Sequence, residues 1–252
     1  MISLRRLVMI DKPTYGNHYS DTDWGCDYFE VESTSSIEKI RICHVKVGDI
    51  EKISEELAEK VLDTSWMMKL DEGNKRAYRR TVQETAAALV KIFNSTKCSS
   101  DVGSEFGEVM VSMGSAKALE KIFDHIILPI AELWKPQVKQ NEGFDFHTVC
   151  SEEIINFGEA KYSGSINPHG DAISQAKGFV DDEKHLRDWV HLRGLVSDGA
   201  IENLNNDSYG IVASFSINTE DPLLILKNAI EAAQVALTSD KIKAVYLVGV
   251  SR

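Results

Sequence analysis

Three residues of this chain have the types and spacing to do chemistry together: Asp145, Glu159 and Lys161. They fall in the run G-F-D-F-H-T-V-C-S-E-E-I-I-N-F-G-E-A-K, residues 143–161. Both halves of the run read as strands, Phe144 to Val149 and Ile154 to Tyr162. Side chains two apart on a strand share a face, so Glu159 and Lys161 are expected to project together. A turn at Ser151-Glu152 would fold the Asp145 strand back beside them. Two carboxylates and one amine would then meet at one point. Carboxylate oxygens suit a hard divalent cation such as Mg²⁺, which usually takes only one or two of them from protein. Such a cation activates water and stabilises a departing oxygen, and a nearby ammonium offsets charge that develops in the transition state.

The surrounding elements are those needed to hold such a hairpin. Ser104 to Phe123 reads as a helix, with Ser104 as its N-cap and apolar residues at helical spacing. After the hairpin, Asn167-Pro168 opens a helix through Ala172, Ile173, Ala176, Phe179 and Val180 that extends towards Val190. Tyr209 to Ile217 reads as a strand. Asp221-Pro222 is an N-cap with proline at the first helical position, ahead of a helix from Leu223 to Leu237. Lys243 to Val250 reads as a buried closing strand. Strands alternating with helices imply an α/β sandwich.

This order of helix, motif-bearing hairpin, helix and strand resembles the PD-(D/E)XK nuclease superfamily. The match is Asp145, Glu159 and Lys161, with Phe144 where the family name has proline. The resemblance implies a restriction-endonuclease-like core, a mixed central sheet flanked by helices. It also implies Mg²⁺ as cofactor, with Mn²⁺ as a substitute. A glutamate on the preceding helix often completes the metal site in this family. That points to Glu108, beside Gly107, with Glu105 as the alternative one turn earlier. Gln175 corresponds to a supporting glutamine found in some branches, and it reads equally as a solvated helix residue.

A narrower resemblance covers about residues 100–250. The runs E-F-G-E-V-M-V-S-M, L-P-I-A-E-L-W-K-P, G-F-D-F-H-T-V and N-F-G-E-A-K-Y-S look like those of the nuclease subunits of the Hachiman antiphage systems. Those subunits work beside a superfamily-2 helicase. The implied function is DNA degradation in bacterial antiphage defence, released when the helicase partner senses damaged or invading DNA.

The first hundred residues read as an α+β region that packs on the nuclease core or binds a partner. Leu7 to Ile10, Asp27 to Val31 and Ile37 to Val47 look strand-like, and Gly16 to Cys26 looks like a polar loop. Helices are expected over Ile50 to Leu62 and Lys75 to Phe93. Asn94 to Ser100 reads as a linker, which divides the chain into residues 1–97 and a nuclease domain at 98–252.

Composition limits these readings. A formal net charge of −11 is unlike a protein that binds DNA alone, which usually shows a basic face. Three answers stand open: charge segregated in three dimensions, Mg²⁺ offsetting the carboxylates, or affinity supplied by the helicase partner that the resemblance implies. No apolar run has the length of a membrane span, and no signal-peptide pattern opens the chain, so the expectation is a cytoplasmic protein. Four scattered cysteines without C-x-x-C pairs argue against a zinc site or a disulfide framework. Nucleotide-binding glycine loops, H-E-x-x-H and G-x-S-x-G are all missing from the sequence.

Plainer readings stand beside the chemical ones. The hairpin charges could simply be solvated. His147, two residues after Asp145, reads as a substrate contact or as a packed histidine, and Tyr162 and Ser163 as cleft lining or plain structure. His169 reads as a phosphate contact or a turn residue. His185, His191 and Trp189 read as a helix face, and Asp181-Asp182-Glu183 as a solvated helix break. Asp21 and Asp23 read as cation ligands or an ordinary acidic loop. The rival function is a non-catalytic scaffold that keeps a nuclease fold; retention of all three motif residues weighs against it.

Overall fold

The computed structural model describes residues 10–33, 39–99, 101–135 and 143–252. It is a mixed α/β structure built on one eight-stranded sheet in the order β1-β2-β3-β8-β7-β6-β5-β4. The strands are β1 (Thr14–Asp21), β2 (Cys26–Glu32), β3 (Ile40–Val47), β4 (Ile126–Ile127), β5 (Phe146–Val149), β6 (Ile155–Lys161), β7 (Tyr209–Ile217) and β8 (Ile242–Ser251). The central strands β3, β8, β7 and β6 run parallel, and an antiparallel group flanks them on each side. The helices are α1 (Ile50–Leu62), α2 (Glu72–Ser99), α3 (Ser104–Phe123), α4 (Ala131–Trp134), α5 (His169–Asp181), α6 (His185–Leu192), α7 (Asp198–Asn205) and α8 (Pro222–Ala236).

Burial explains the sequence of α3. It packs across β2, β3, β5, β6, β7 and β8, while α1 and α2 pack on its outer side. A helix covered on both sides keeps little polar surface: α3 buries Phe106, Met110, Val111, Ala116 and Leu119 around its circumference and leaves charges such as Glu105, Glu108 and Lys121 exposed towards its ends. Small residues let its neighbours approach. A Cβ on Gly107 would lie 2.2 Å from the Tyr162 ring. On the other face of the sheet, α5 packs against β6 and β7, and α8 against β8 and β3. Helices on both faces leave β6 and β7 buried on each side: β7 is apolar apart from Ser214 and Ser216, while β6 carries Asn156 and Glu159 into the interior.

Several expectations are met in detail. The helix expected over Ile50 to Leu62 is α1, capped by Asp49, which accepts from the N–H groups of Glu51 and Lys52. Asp221 caps α8 by accepting from Leu224, with Pro222 in the first turn. The turn between β5 and β6 sits at Ser151-Glu152, closed by Cys150 N–H to the Ile154 carbonyl at 3.1 Å.

Other expectations need correction. The residue preceding α3 is Gly103, not Ser104, and it makes no side-chain cap. The helix after Pro168 does not run on to Val190. It stops at Asp181, Glu183 takes a left-handed conformation (φ 53°), and α6 begins at His185. The break is therefore at the acidic triplet Asp181-Asp182-Glu183, as one of the readings had it. Residues 16–21 are not loop but part of β1, an edge strand exposed along nearly its whole length. Hydrophobic alternation marks a strand only when one of its faces is buried, so β1 left no such trace. Residues 94–99 are not linker but the last turns of α2, where Thr96 is buried and Lys97 pairs with Glu55 on α1. The expected division at 97/98 thus falls inside a helix, and strands from both sides of it share the sheet. The expected strand at Leu7 to Ile10 lies, apart from Ile10, outside the described residues. Among the described residues no helix is long and apolar enough to cross a membrane.

The close approach at Gly158 gives a direct test of the hairpin that carries the motif. A Cβ there would sit 2.4 Å from the Phe146 ring on the paired strand. Gly158→Ala is expected to lower unfolding stability by about 1–3 kcal/mol, the usual cost of overpacking. Gly170→Ala on α5, where a Cβ meets nothing within 4 Å, is expected to be neutral or stabilising. Urea unfolding of both variants checks this. Equal stabilities would mean that Phe146 does not hold the hairpin in this packing.

Candidate functional site

The hairpin brings the motif residues together. Phe146 pairs with Gly158, so the ladder continued one step sets Asp145 opposite Glu159. Asp145 Oδ2 accepts the Ala160 N–H at 2.7 Å, and the Asp145 N–H reaches the Gly158 carbonyl at 2.8 Å. These two bonds fix Asp145 at the mouth of the hairpin and leave its Oδ1 without a hydrogen bond among the described residues. Lys161 Nζ lies 3.0 Å from Glu159 Oε1, as their shared strand face requires.

Glu159 is the most unusual group in the site. It is 1 % exposed, and neither carboxylate oxygen has a partner in hydrogen-bond geometry, the Lys161 contact being an ion pair by distance alone. Burial and the adjacent Asp145 charge push its carboxyl up, against the pull of Lys161. Burial likewise raises Asp145, opposed by the Ala160 N–H, Lys161 and Lys135. Lys161 is held above its usual range. Burial works the other way, but the Glu159, Asp145 and Glu108 charges outweigh it. Its ammonium is therefore charged at neutral pH.

A salt-bridged anchor positions this end of the hairpin. Lys135, just after α4, donates to the Phe144 carbonyl and lies 2.9 Å from Asp188 Oδ2 on α6. His147 Nε2 lies 2.9 Å from the same oxygen. Because a carboxylate only accepts, that nitrogen carries the proton. Burial depresses the His147 imidazole, so the ring is neutral, while His147 and Lys135 overcome burial to keep Asp188 ionised. His147 is fully buried among Trp134 and Phe157. It is a packed residue with no atom open to solvent.

The remaining candidates divide. Glu108 and Glu105 are both exposed on α3 and line a cavity of about 480 Å³ between α2, α3 and α4. The Glu108 charge bears on Asp145, Glu159 and Lys161, and Glu105 is not among their principal neighbours. Tyr162 packs its ring on Gly107 and donates its hydroxyl to the Val102 carbonyl at 3.3 Å. Ser163 is a turn residue, its hydroxyl accepting from Ser165 and Ile166. Gln175 is half-buried on α5 and touches none of these groups through a hydrogen bond. His169 bonds back to the Asn167 carbonyl. Asp21 is tied to Lys121 at 3.0 Å, which makes it an ion-pair partner.

One carboxylate was missed. Glu132 of α4 lines the same cavity as Glu108, and although the residue is partly exposed its Oε2 is buried without a partner. Burial, then the Asp145 charge, pushes its carboxyl up to about 7. A signal was present in the sequence: a single charge set among Ile130, Ala131, Leu133 and Trp134, all of them buried.

Oxygen ligands with unsatisfied lone pairs suit a hard cation, and Asp145 with Glu159 fits that requirement. Among the described residues, however, no three His, Cys, Asp or Glu side chains converge to form a ready-made metal cage. Compared with known proteins, the chain matches no family model, no curated protein and no solved structure.

Glu132 makes the electrostatics testable. Its folded-state pKa is raised, so its contribution to stability is full below the unfolded value and is lost as pH rises through about 7. In the presence of EDTA, Glu132→Gln is expected to raise the thermal midpoint at about pH 8 and leave it unchanged near pH 4. Thermal unfolding across that range is the measurement. A variant with the wild-type pH profile would show that Glu132 is not held neutral by burial.

Proposed function

We propose that this chain is a metal-dependent nuclease that hydrolyses phosphodiester bonds of DNA. In this reading it is the effector of a bacterial antiphage defence system under the control of a helicase partner. The observation that carries the proposal is Glu159: a carboxyl group out of contact with water, beside a second carboxylate, with the Lys161 ammonium at 3.0 Å as the one positive charge against the pair. Such a group is costly unless something positive joins it. The succession α3, the β5–β6 hairpin, α5 and a parallel β7, with β4 and α4 before the hairpin and α6 and α7 before β7, supports the reading, because helix, motif-bearing hairpin, helix and strand is the order that the sequence resemblance implies.

Asp145, through Oδ1, and Glu159 would hold Mg²⁺, with Glu108 reaching in from α3. Bound there, the cation supplies Lewis-acid activation of water and of the phosphodiester oxygen. Lys161 stays charged beside Glu159, placed to orient the attacking water and to offset charge that builds on the phosphorus oxygens. Asp145 owes its position to the Ala160 N–H, and its strand to the Lys135 contact with the Phe144 carbonyl. The walls around Glu108 are acidic, with Glu84, Glu105 and Glu132 on the same cavity. They repel a DNA backbone, so the affinity for DNA is assigned to the partner.

A non-catalytic scaffold is the second reading. It draws on the lack, among the described residues, of three converged ligands.

The deciding experiment incubates the purified chain, with and without the helicase partner, with supercoiled and linear DNA and Mg²⁺. Asp145→Ala, Glu159→Ala and Lys161→Ala are each expected to lower cleavage by at least about 100-fold. The carboxylate variants should lose cation binding, and Lys161→Ala should largely keep it. Full activity in any of them removes that residue from its assigned role. No cleavage under any combination would favour the scaffold.

A further inference from the structure

We propose a second ligand site, independent of the nuclease reading: a cavity at the amino ends of β3 and β8 that binds one phosphomonoester of mononucleotide size. The cavity measures about 280 Å³ and is lined by Lys39, Arg41 and Lys243, with Phe123, Tyr246 and Ile154 as its apolar wall. It lies at the opposite end of the sheet from Lys161. It sits beside the end of β5 and the start of β6, whereas the motif site sits at the start of β5 and the end of β6.

Charge is the first argument. In a chain of net charge −11, three cations gather here and none makes an ion pair among the described residues. Lys39 and Lys243 spend one donor each on the Ser239 and Asp240 carbonyls, at 3.2 and 3.0 Å, and keep the others. The Arg41 guanidinium lies 5.6 Å from the Phe123 ring centroid, stacked on an aromatic face and not on a carboxylate. Burial and the Lys243 charge hold the Lys39 ammonium below its usual range against the pull of Asp240, which fits a cation short of counter-charge. A guanidinium beside two ammonium groups suits a doubly charged oxyanion.

Shape and polarity narrow the ligand. The volume exceeds what a bare phosphate fills and is near the lower bound for small-molecule sites. Phe123 and Tyr246, tilted against each other at 5.6 Å between centroids, give the cavity an apolar side on which the organic part of a phosphomonoester can rest. The Tyr246 hydroxyl is held by His125 Nε2 at 3.1 Å, and His125 Nδ1 by Thr148 at 2.9 Å. That chain fixes the wall in place. Asp124 and Glu152 on the same lining would repel further negative charge. The site therefore takes a monophosphate in preference to a triphosphate, and it is too small for a duplex.

Calorimetry of the full chain tests this with adenosine and cytidine monophosphates, ribose 5-phosphate, inorganic phosphate, adenosine and ATP. Arg41 and Lys243 are exposed, so Arg41→Ala and Lys243→Ala should fold normally, as circular dichroism can verify. The expected result is one-to-one binding of at least one phosphomonoester, weakened about tenfold or more by either substitution and untouched by Lys161→Ala. Inorganic phosphate and ATP should bind more weakly, and adenosine not at all. The proposal is overturned by any one of three results: no phosphomonoester binds, binding survives both substitutions, or inorganic phosphate or ATP binds as tightly as the monoester.

Discussion

Glu159 is buried beside the partly buried Asp145 with a single ammonium, Lys161, against it, and much of the surrounding structure serves to keep them there. Like charges in a water-poor site repel, and burial alone disfavours ionised carboxylates. Left to relax, such a hairpin mouth would open to solvent. It is held shut by Ala160 N–H on Asp145 and by the Lys135 contact with the Phe144 carbonyl. Behind these lies the shared ion-pair oxygen of Asp188. Stability spent on holding a strained electrostatic arrangement is the pattern expected of a functional site, where local rules are broken and compensated nearby.

The N-terminal elements take part in this enclosure. Helix α2 forms one wall of the cavity lined by Glu105, Glu108 and Glu132, and with α1 it covers the outer side of α3. Because β3 is hydrogen-bonded to β8, the first strands extend the same sheet that carries the motif. A helix buried on both sides is also a rigid platform, so Glu108 is placed by packing as well as by its own turn.

Legibility in the sequence followed burial. Elements with one or both faces in the core, β2, β6, β7, β8, α1 and α8, declared themselves through apolar pattern and capping residues. The exposed edge strand β1 did not, since nothing selects alternation where neither face is buried. The end of α2 looked like a linker because Asn94, Ser95 and Ser99 are poor helix formers. Tertiary contact through Thr96 and Lys97 overrides that preference. At the site, strand periodicity and the resemblance named Asp145, Glu159 and Lys161, which the hairpin register does bring together. Glu132 and the Lys135–Asp188–His147 anchor escaped, because their partners lie far along the chain and only the fold joins them.

The most direct test of the account is whether the buried carboxylates bind a divalent cation at all. Titrating the metal-free chain with Mn²⁺ in a calorimeter at neutral pH, beside Glu159→Gln, measures this without any substrate or partner. The account predicts saturable binding to the wild-type chain, weakened about tenfold or more in the variant. Wild-type protein that takes up no Mn²⁺, or a variant that binds it equally well, would contradict the claim that these carboxylates are built to receive a cation.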